Sequence, residues 1–453
     1  MNFGSLFLAV AFAGAGLPLA SLRLVAQGPP TRGLRGEWTL EQVMATATAQ
    51  HPLIEAARAR VSASQGSRRT AGAIPNPIAT YQVENAAFPG GRTPVGLDSE
   101  TSAFFTIPIE PLYQRWPLVQ RAEEEIRVAE AALTATRRRV ALDAARAFHC
   151  VALAQVSVAA ARETFVALER LARFNESRVQ EGVTAEVDLM RVQVELERAG
   201  TQVTLDEVEL ARARAELRPF LGDLGDGETL DSLRVTVPEG GSVEAALPPL
   251  DEVLSRARQR RPELLAARAR VAAARAEATY QQTLTVRQVG ASFGTKRING
   301  QNSMIVGFSL PLPLFDRNRG EVQRAAGERR ATEQELDWAE RTISAEVQAA
   351  YQGAQRLASQ VARLRDASFM DRAEEARGIT LSAYEEGAAS LLQVLDASRT
   401  LGETRITYYR VLFTHKQTLL DLAVAAGGEP TMGPGVLESA LPTAVSNLRG
   451  GNR

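Results

Sequence analysis

The 453 residues carry 52 basic and 53 acidic side chains, a formal charge of −1, and only 6% are aromatic. Near-neutrality, with arginines interleaved among glutamates along helix-like stretches, argues against a nucleic-acid binder, and so few aromatics argue against several independent large cores. The single cysteine, Cys150, excludes an internal disulfide.

Residues 3–20, "FGSLFLAVAFAGAGLPLA", form an apolar run followed by Arg23 and the Pro/Gly-rich "QGPPTRG". Residues 1–26 read as an export signal with cleavage near Ala15, Ala20 or Ala26. No Lys or Arg precedes the run, so a retained membrane anchor and a misassigned start compete with that reading. With no cysteine near those points, no lipid anchor is expected there. No other stretch has the roughly 18 uncharged apolar residues of a spanning helix, so any later membrane crossing falls to strands.

After this segment the chain writes one plan twice. At an offset of 210, Leu40, Val43, Ala47, Pro52, Ala57 and Arg58 recur as Leu250, Val253, Ala257, Pro262, Ala267 and Arg268. At 203, "VQRA" (119–122) recurs at 322–325, and at 205 Glu181-Gly182 falls on Glu386-Gly387. The expected organisation is a first repeat over 38–222, a Gly/Asp/Pro-rich linker over 223–249, a second repeat over 250–427 and a flexible Gly/Pro-rich tail over 428–453. Each repeat reads as helix, strand pair, long helix, helix.

The first strand pair, about 77–110, comprises "PIATYQVENA", the loop "AFPGGRTPVGLDS" and "SAFFTIPIE". Ala79, Tyr81 and Val83 alternate with Thr80, Gln82 and Glu84, and Ala103, Phe105 and Ile107 alternate with Ser102, Phe104 and Thr106. The second pair, about 286–312, places Val289, Ala291, Phe293, Met304, Val306, Phe308 and Leu310 on one face. Period-two alternation of apolar with small or polar residues marks both a transmembrane barrel strand and a soluble hairpin laid over a helix. The signal-like start, and the same hairpin in both repeats, favour the barrel strand.

From 118 to 180 no proline or glycine interrupts the helical pattern, and from 321 to 386 only Gly327, Gly353 and Gly378 do. Each stretch predicts a rod of about 100 Å, too long for a compact domain. Apolar residues at 140, 144, 147, 151, 154, 158, 161, 165, 168 and 172 keep 4-3 spacing, the pattern of a coiled-coil seam. Leu189, Val192, Leu196, Ala199, Val203, Leu210, Ala213 and Leu217 repeat it, interrupted by Asp206. The shorter helices, about 40–72 and 184–220, are expected to stack end to end beside the long one. Four strands cannot close a barrel, because known single-chain barrels start at about eight and an open edge in lipid is costly. Several copies must therefore combine.

The duplicated "LEQVMATATAQHPLIEAARARV" and "LDEVLSRARQRRPELLAARARV", the turns "IPIEPLY" and "LPLPLFDRNRGEVQRA", and the paired "EGVTAEVDL" and "EGAASLLQV" resemble the TolC-type outer-membrane efflux protein family. The turn "PLPLFDRNRGEV" is similar to the branch serving heavy-metal and related cation or drug pumps. The resemblance implies a mainly α fold with a small β part. Long antiparallel coiled-coil helices would form an α-barrel tunnel, and four strands per chain would join a trimeric 12-stranded β-barrel in outer-membrane lipid. It also implies a homotrimer docked through its helical tips on a periplasmic adaptor, or membrane fusion protein, fed by an inner-membrane pump of the RND type. The cargo would be cations or small toxic compounds, with no cofactor and no catalysis.

Gly182 and Gly387 read as helix C-caps; by the resemblance, Gly182, Val183, Thr184, Gly387, Ala388 and Ala389 also become adaptor-contact candidates. Glu181, Glu186, Asp188, Glu385 and Glu386 are candidates to line a constricted entrance and attract cations, against the plainer reading of solvated helix ends. Family members often carry aspartates at that constriction, whereas no aspartate pair precedes Gly387 here. His51, His149 and His415 lie far apart without an HxxxH or CxxC partner, so no metal site is expected. An exported coiled-coil scaffold or adaptor without a barrel is the alternative; it would not need paired amphipathic hairpins at matching places.

Overall fold

The computed structural model describes residues 37–85, 99–222, 230–237, 247–298 and 300–428. The signal-like segment, the loop residues 86–98 and the tail from 429 onward lie outside them.

The first half opens with α1 (Leu40–Gln50) and α2 (Pro52–Gly72) rather than one helix over 40–72. Proline disfavours helical backbone in the residue before it, so His51 is extended (ψ 130°) and caps the new helix, its ring accepting from the Leu53 N–H at 3.3 Å. Strands β1 (Ile78–Glu84) and β2 (Glu100–Pro108) follow, then α3 (Pro111–Gln180) and α4 (Glu186–Leu217). The 70 residues of α3 make a rod of about 105 Å. It starts about two turns before the expected 118, with Pro111 in the first turn and Pro117 accommodated inside the helix.

The second half repeats this order with α5 (Leu250–Arg260), α6 (Pro262–Thr283), β3 (Gly290–Ile298) and β4 (Gln301–Ser309). It then departs from expectation. The predicted unbroken rod over 321–386 is α7 (Arg319–Asp366) and α8 (Phe369–Glu385), followed by α9 (Leu391–Ala425). The interruption falls at Ser368, which adopts a left-handed conformation (φ 48°) that serine tolerates poorly. The three glycines lie inside helices, and Gly327 and Gly378 leave open space where a side chain would be. Beyond the break, Arg377 of α8 pairs with Glu163 of α3 at 3.2 Å, and Arg405 of α9 pairs with the same carboxylate. The break thus accompanies a three-helix tie that a straight continuation had no reason to make.

The seam on α3 is buried or half-buried at every predicted position from 140 to 172, as is the α4 seam. Apolar contacts form a series of clusters along the bundle instead of one centre. Val43, Ile54, Val151 and Leu217 anchor the first half, and Val253, Leu264, Val347 and Leu422 the second. Full burial of each such side chain contributes about 1.5–3 kcal/mol. Part of the expected linker is structured: residues 230–237 pack on α3, where the Gln155 side chain exchanges two 2.9 Å hydrogen bonds with the Val235 backbone. Trp38 pairs with the same segment, its backbone N–H donating to the Arg234 carbonyl at 2.9 Å.

All four strands form one antiparallel sheet in the order β1-β2-β3-β4. The central β2–β3 pairing joins the halves, with Phe105 opposite Phe293. Gly294 is required there. A Cβ at this position would lie 2.2 Å from the Ala103 carbonyl oxygen and 2.4 Å from the Phe104 Cβ.

Candidate membrane sheet and tunnel tips

Because strand side chains alternate, the register decides what each face carries. One face aligns Ala79, Phe105, Phe293 and Val306 in one row and Tyr81, Ala103, Thr295 and Met304 in the next. Tyr81, Phe105, Phe293, Met304, Val306 and Phe308 on it are all at least half exposed, and the Phe105 and Phe293 ring centroids lie 6.0 Å apart. Helices do not cover this face. The opposite face carries Thr80, Gln82, Glu84, Ser102, Thr106 and Ser292, with a 3.0 Å hydrogen bond between the Thr106 and Ser292 hydroxyls. Lys296, one of the chain's two lysines, lies 3.8 Å from Glu84 and also pairs with Glu100. Those carboxylates face each other across the β1–β2 ladder, so the ammonium offsets a like-charge pair that would weaken it. An apolar face of this extent on a folded chain marks contact with membrane or protein.

At the far end of the helices the two halves terminate alike. Gly182 (φ 73°) and Gly387 (φ 78°) close α3 and α8 with the same pair of bonds. The Gly182 N–H donates to Val179 O at 3.0 Å and the Val183 N–H to Arg178 O at 2.8 Å; Gly387 donates to Tyr384 O and Ala388 to Ala383 O at 3.0 and 2.7 Å. Only a positive φ permits this closure, which is why glycine occupies both sites. Val183 and Ala388 are exposed, while Thr184 and Ala389 are half-buried, Ala389 against a cluster formed by Leu168, Leu171, Val192, Tyr384, Leu391 and Val394. That cluster draws residues of α3, α4, α8 and α9 together, so the two tips are neighbours. Glu181, Glu186, Glu385 and Glu386 are exposed and form no ion pair among the described residues; Asp188 lies 3.7 Å from Arg191.

The outer membrane efflux protein family matches residues 43–223 and 253–428. The chain belongs to that family. The match falls as two blocks, which begin three residues inside α1 and α5 and take in all four strands and the other α-helices described. Among curated relatives, the cobalt-zinc-cadmium resistance protein CzcC of Cupriavidus metallidurans is 26% identical over 415 residues, 90% of this chain and 95% of the relative. The cation efflux system protein CusC of Escherichia coli K12 is 26% identical over 288 residues, 61% of each chain. Among solved structures, VceC of Vibrio cholerae superposes with a TM-score of 0.70 at 18% identity, covering 86% of this chain and 97% of that one. CmeC of Campylobacter jejuni gives 0.71 at 14%, covering 88% of each. These superpositions carry the fold alone. This efflux protein is therefore an outer-membrane channel and a passive conduit.

Two residues that tie the tips together carry no sequence motif. Asn175 on α3 is fully buried; its amide donates to Leu171 O at 2.8 Å, and its Oδ1 accepts from the Tyr384 hydroxyl at 2.6 Å. The Arg178 guanidinium lies over both the Phe174 and Tyr384 rings, at 5.5 and 5.9 Å. A lone asparagine within a polar stretch of helix reads as surface until its partner is known. The one available signal was Tyr384, an aromatic residue three places before a tip glycine. The histidines are structural among the described residues. His149 is buried, stacked on Phe413 at 5.7 Å, with Nδ1 3.2 Å from Gln417 Oε1, and burial lowers its pKa to about 4. No group of three His, Cys, Asp or Glu side chains among the described residues could hold a metal ion.

Proposed function

We propose that three copies of this chain assemble into one channel, pooling their strands as a 12-stranded barrel and their helices as a periplasmic tunnel. The observation that carries this reading is the four-stranded sheet with two open edges, β1 and β4, and one uncovered apolar face. Unpaired backbone groups in lipid cost several kcal/mol each, and pairing β4 of one copy with β1 of the next removes them. The polar face, with Lys296, Glu84 and Glu100, then lines the lumen. Each chain brings two repeats, 38–222 and 250–427, behind a signal over 1–26, so the assembly has near six-fold symmetry.

In this reading the paired turns, Gly182, Val183 and Thr184 with Gly387, Ala388 and Ala389, form the surface that a periplasmic adaptor grips, with an RND-type inner-membrane pump behind it. Glu181, Glu186, Asp188, Glu385 and Glu386 give the entrance a negative field that favours cations. The names of the relatives in Cupriavidus and Escherichia support metal cations as the cargo class. The deciding experiment is the native mass of protein extracted by detergent from purified outer membranes. Three chains per particle are expected; a monomer from the soluble periplasmic fraction would overturn the assembly.

A further inference from the structure

The apolar face of β4 does not stop where the ladder stops. Met304, Val306 and Phe308 continue in period two through Leu310, Leu312 and Leu314, all between 49% and 80% exposed, and Phe315 at the end is 99% exposed. The last ladder pair is Gly290 with Ser309, so three of these leucines lie beyond the sheet.

Height gives this a reason. From Met304 to Phe308 the strand advances about 14 Å, or about 10 Å of height at a tilt of ~45°. The apolar band of an outer-membrane barrel is ~25 Å tall. Carrying the alternation on to Leu314 raises the span to about 24 Å, close to what the bilayer requires.

The segment is held in place at its C-terminal end. Asn318 is buried in a left-handed conformation (φ 58°), and its amide donates to Gln281 O at 2.7 Å and Oε1 at 3.1 Å. Asp316 accepts from the Asn318 N–H and from Arg287, both at 2.9 Å. Arg317 and Arg319, both exposed, follow the apolar run directly. A fixed turn that leaves leucines and a phenylalanine exposed, edged by arginines, matches the boundary between acyl chains and phosphate headgroups.

We propose that residues 310–315, the turn between β4 and α7, are a lipid anchor embedded in the periplasmic leaflet of the outer membrane, with Phe315 at headgroup depth and Arg317 and Arg319 toward the phosphates. The occupant is phospholipid, because the segment continues the face that the proposed barrel turns toward the membrane. The inference rests on that assignment of the sheet.

The test uses the full chain with Cys150→Ser, carrying one spin label at a time through F308C, F315C or E328C, reconstituted in phosphatidylethanolamine/phosphatidylglycerol vesicles. Native mass is checked for each variant, and F315C is replaced by L314C should it fail to assemble. Collision with oxygen is compared with collision with a water-soluble nickel complex. Labels at 308 and 315 are expected to favour oxygen, 308 more strongly, and the label at 328 to favour nickel. If 315 behaves as 328 does, or is shielded from both reagents while 308 stays in lipid, the turn faces water or another copy and the anchor is refuted. If 308 also favours nickel, the sheet assignment itself fails.

Discussion

Replacing Tyr384 by Phe removes one oxygen atom and leaves the ring in place. In the structure that oxygen is the partner of Asn175 Oδ1 at 2.6 Å, and Asn175 has no solvent exposure. Stranding a buried polar group costs about 1–3 kcal/mol, which is about a 5- to 150-fold rise in the local opening equilibrium. Amide hydrogen exchange of the folded channel should show that acceleration in peptides covering 171–184 and 381–394, with no change around 140–156. The double variant N175L/Y384F replaces both partners with apolar groups and should recover most of the lost protection. Acceleration below twofold, or an equal effect around 140–156, would show that the hydrogen bond does not hold the tips together.

Three further outcomes follow from other parts of the molecule. His149 is held neutral by burial, its pKa lowered from 6.5 to about 4. The unfolded chain therefore binds a proton that the folded chain refuses between those values, so stability is full above pH 6.5 and falls toward pH 4 by on the order of 3 kcal/mol. Denaturant midpoints of wild type and H149Q compared across that range should converge at acid pH, and parallel curves would contradict this. Gly294→Ala should prevent close β2–β3 pairing and abolish the assembled channel, whereas Gly307→Ala, whose added carbon meets Ser292 Cβ at 3.7 Å, should assemble normally; native mass distinguishes them. Lys296→Gln removes the only cation within 4 Å of Glu84 and Glu100 among the described residues, so reversal potentials in planar bilayers should shift toward cation selectivity, and no shift would place these carboxylates outside the conduction path.

The elements set by periodicity were legible in the sequence. Alternation at 79–83 and 103–107 located strands because one face is uncovered, and 4-3 spacing over 140–172 located the seam because every one of those positions is at least half-buried. The elements set by one residue's conformation were not. Nothing in "DAS" at 366–368 distinguishes a left-handed serine from a helical one, and the tie from Glu163 to Arg377 and Arg405 spans more than two hundred residues. Tip positions followed from glycine, whose reason for being there is local, whereas Asn175 and Tyr384 depend on a contact across 209 positions. Prolines at 52 and 262 could have announced the broken helices, since the extended His51 and Arg261 are what proline imposes on its predecessor.

The unpaired outer edges of β1 and β4 also bear on kinetics. In the proposed trimer, insertion has a step whose rate depends on chain concentration, because the barrier to one copy entering lipid alone includes every unmatched backbone group along both edges. Slow synthesis should leave a pool of chains in the periplasm awaiting encounter, and that pool should drain faster than in proportion to expression. Three copies joined in tandem by linkers would convert the encounter into an intramolecular search, and insertion would then become first-order.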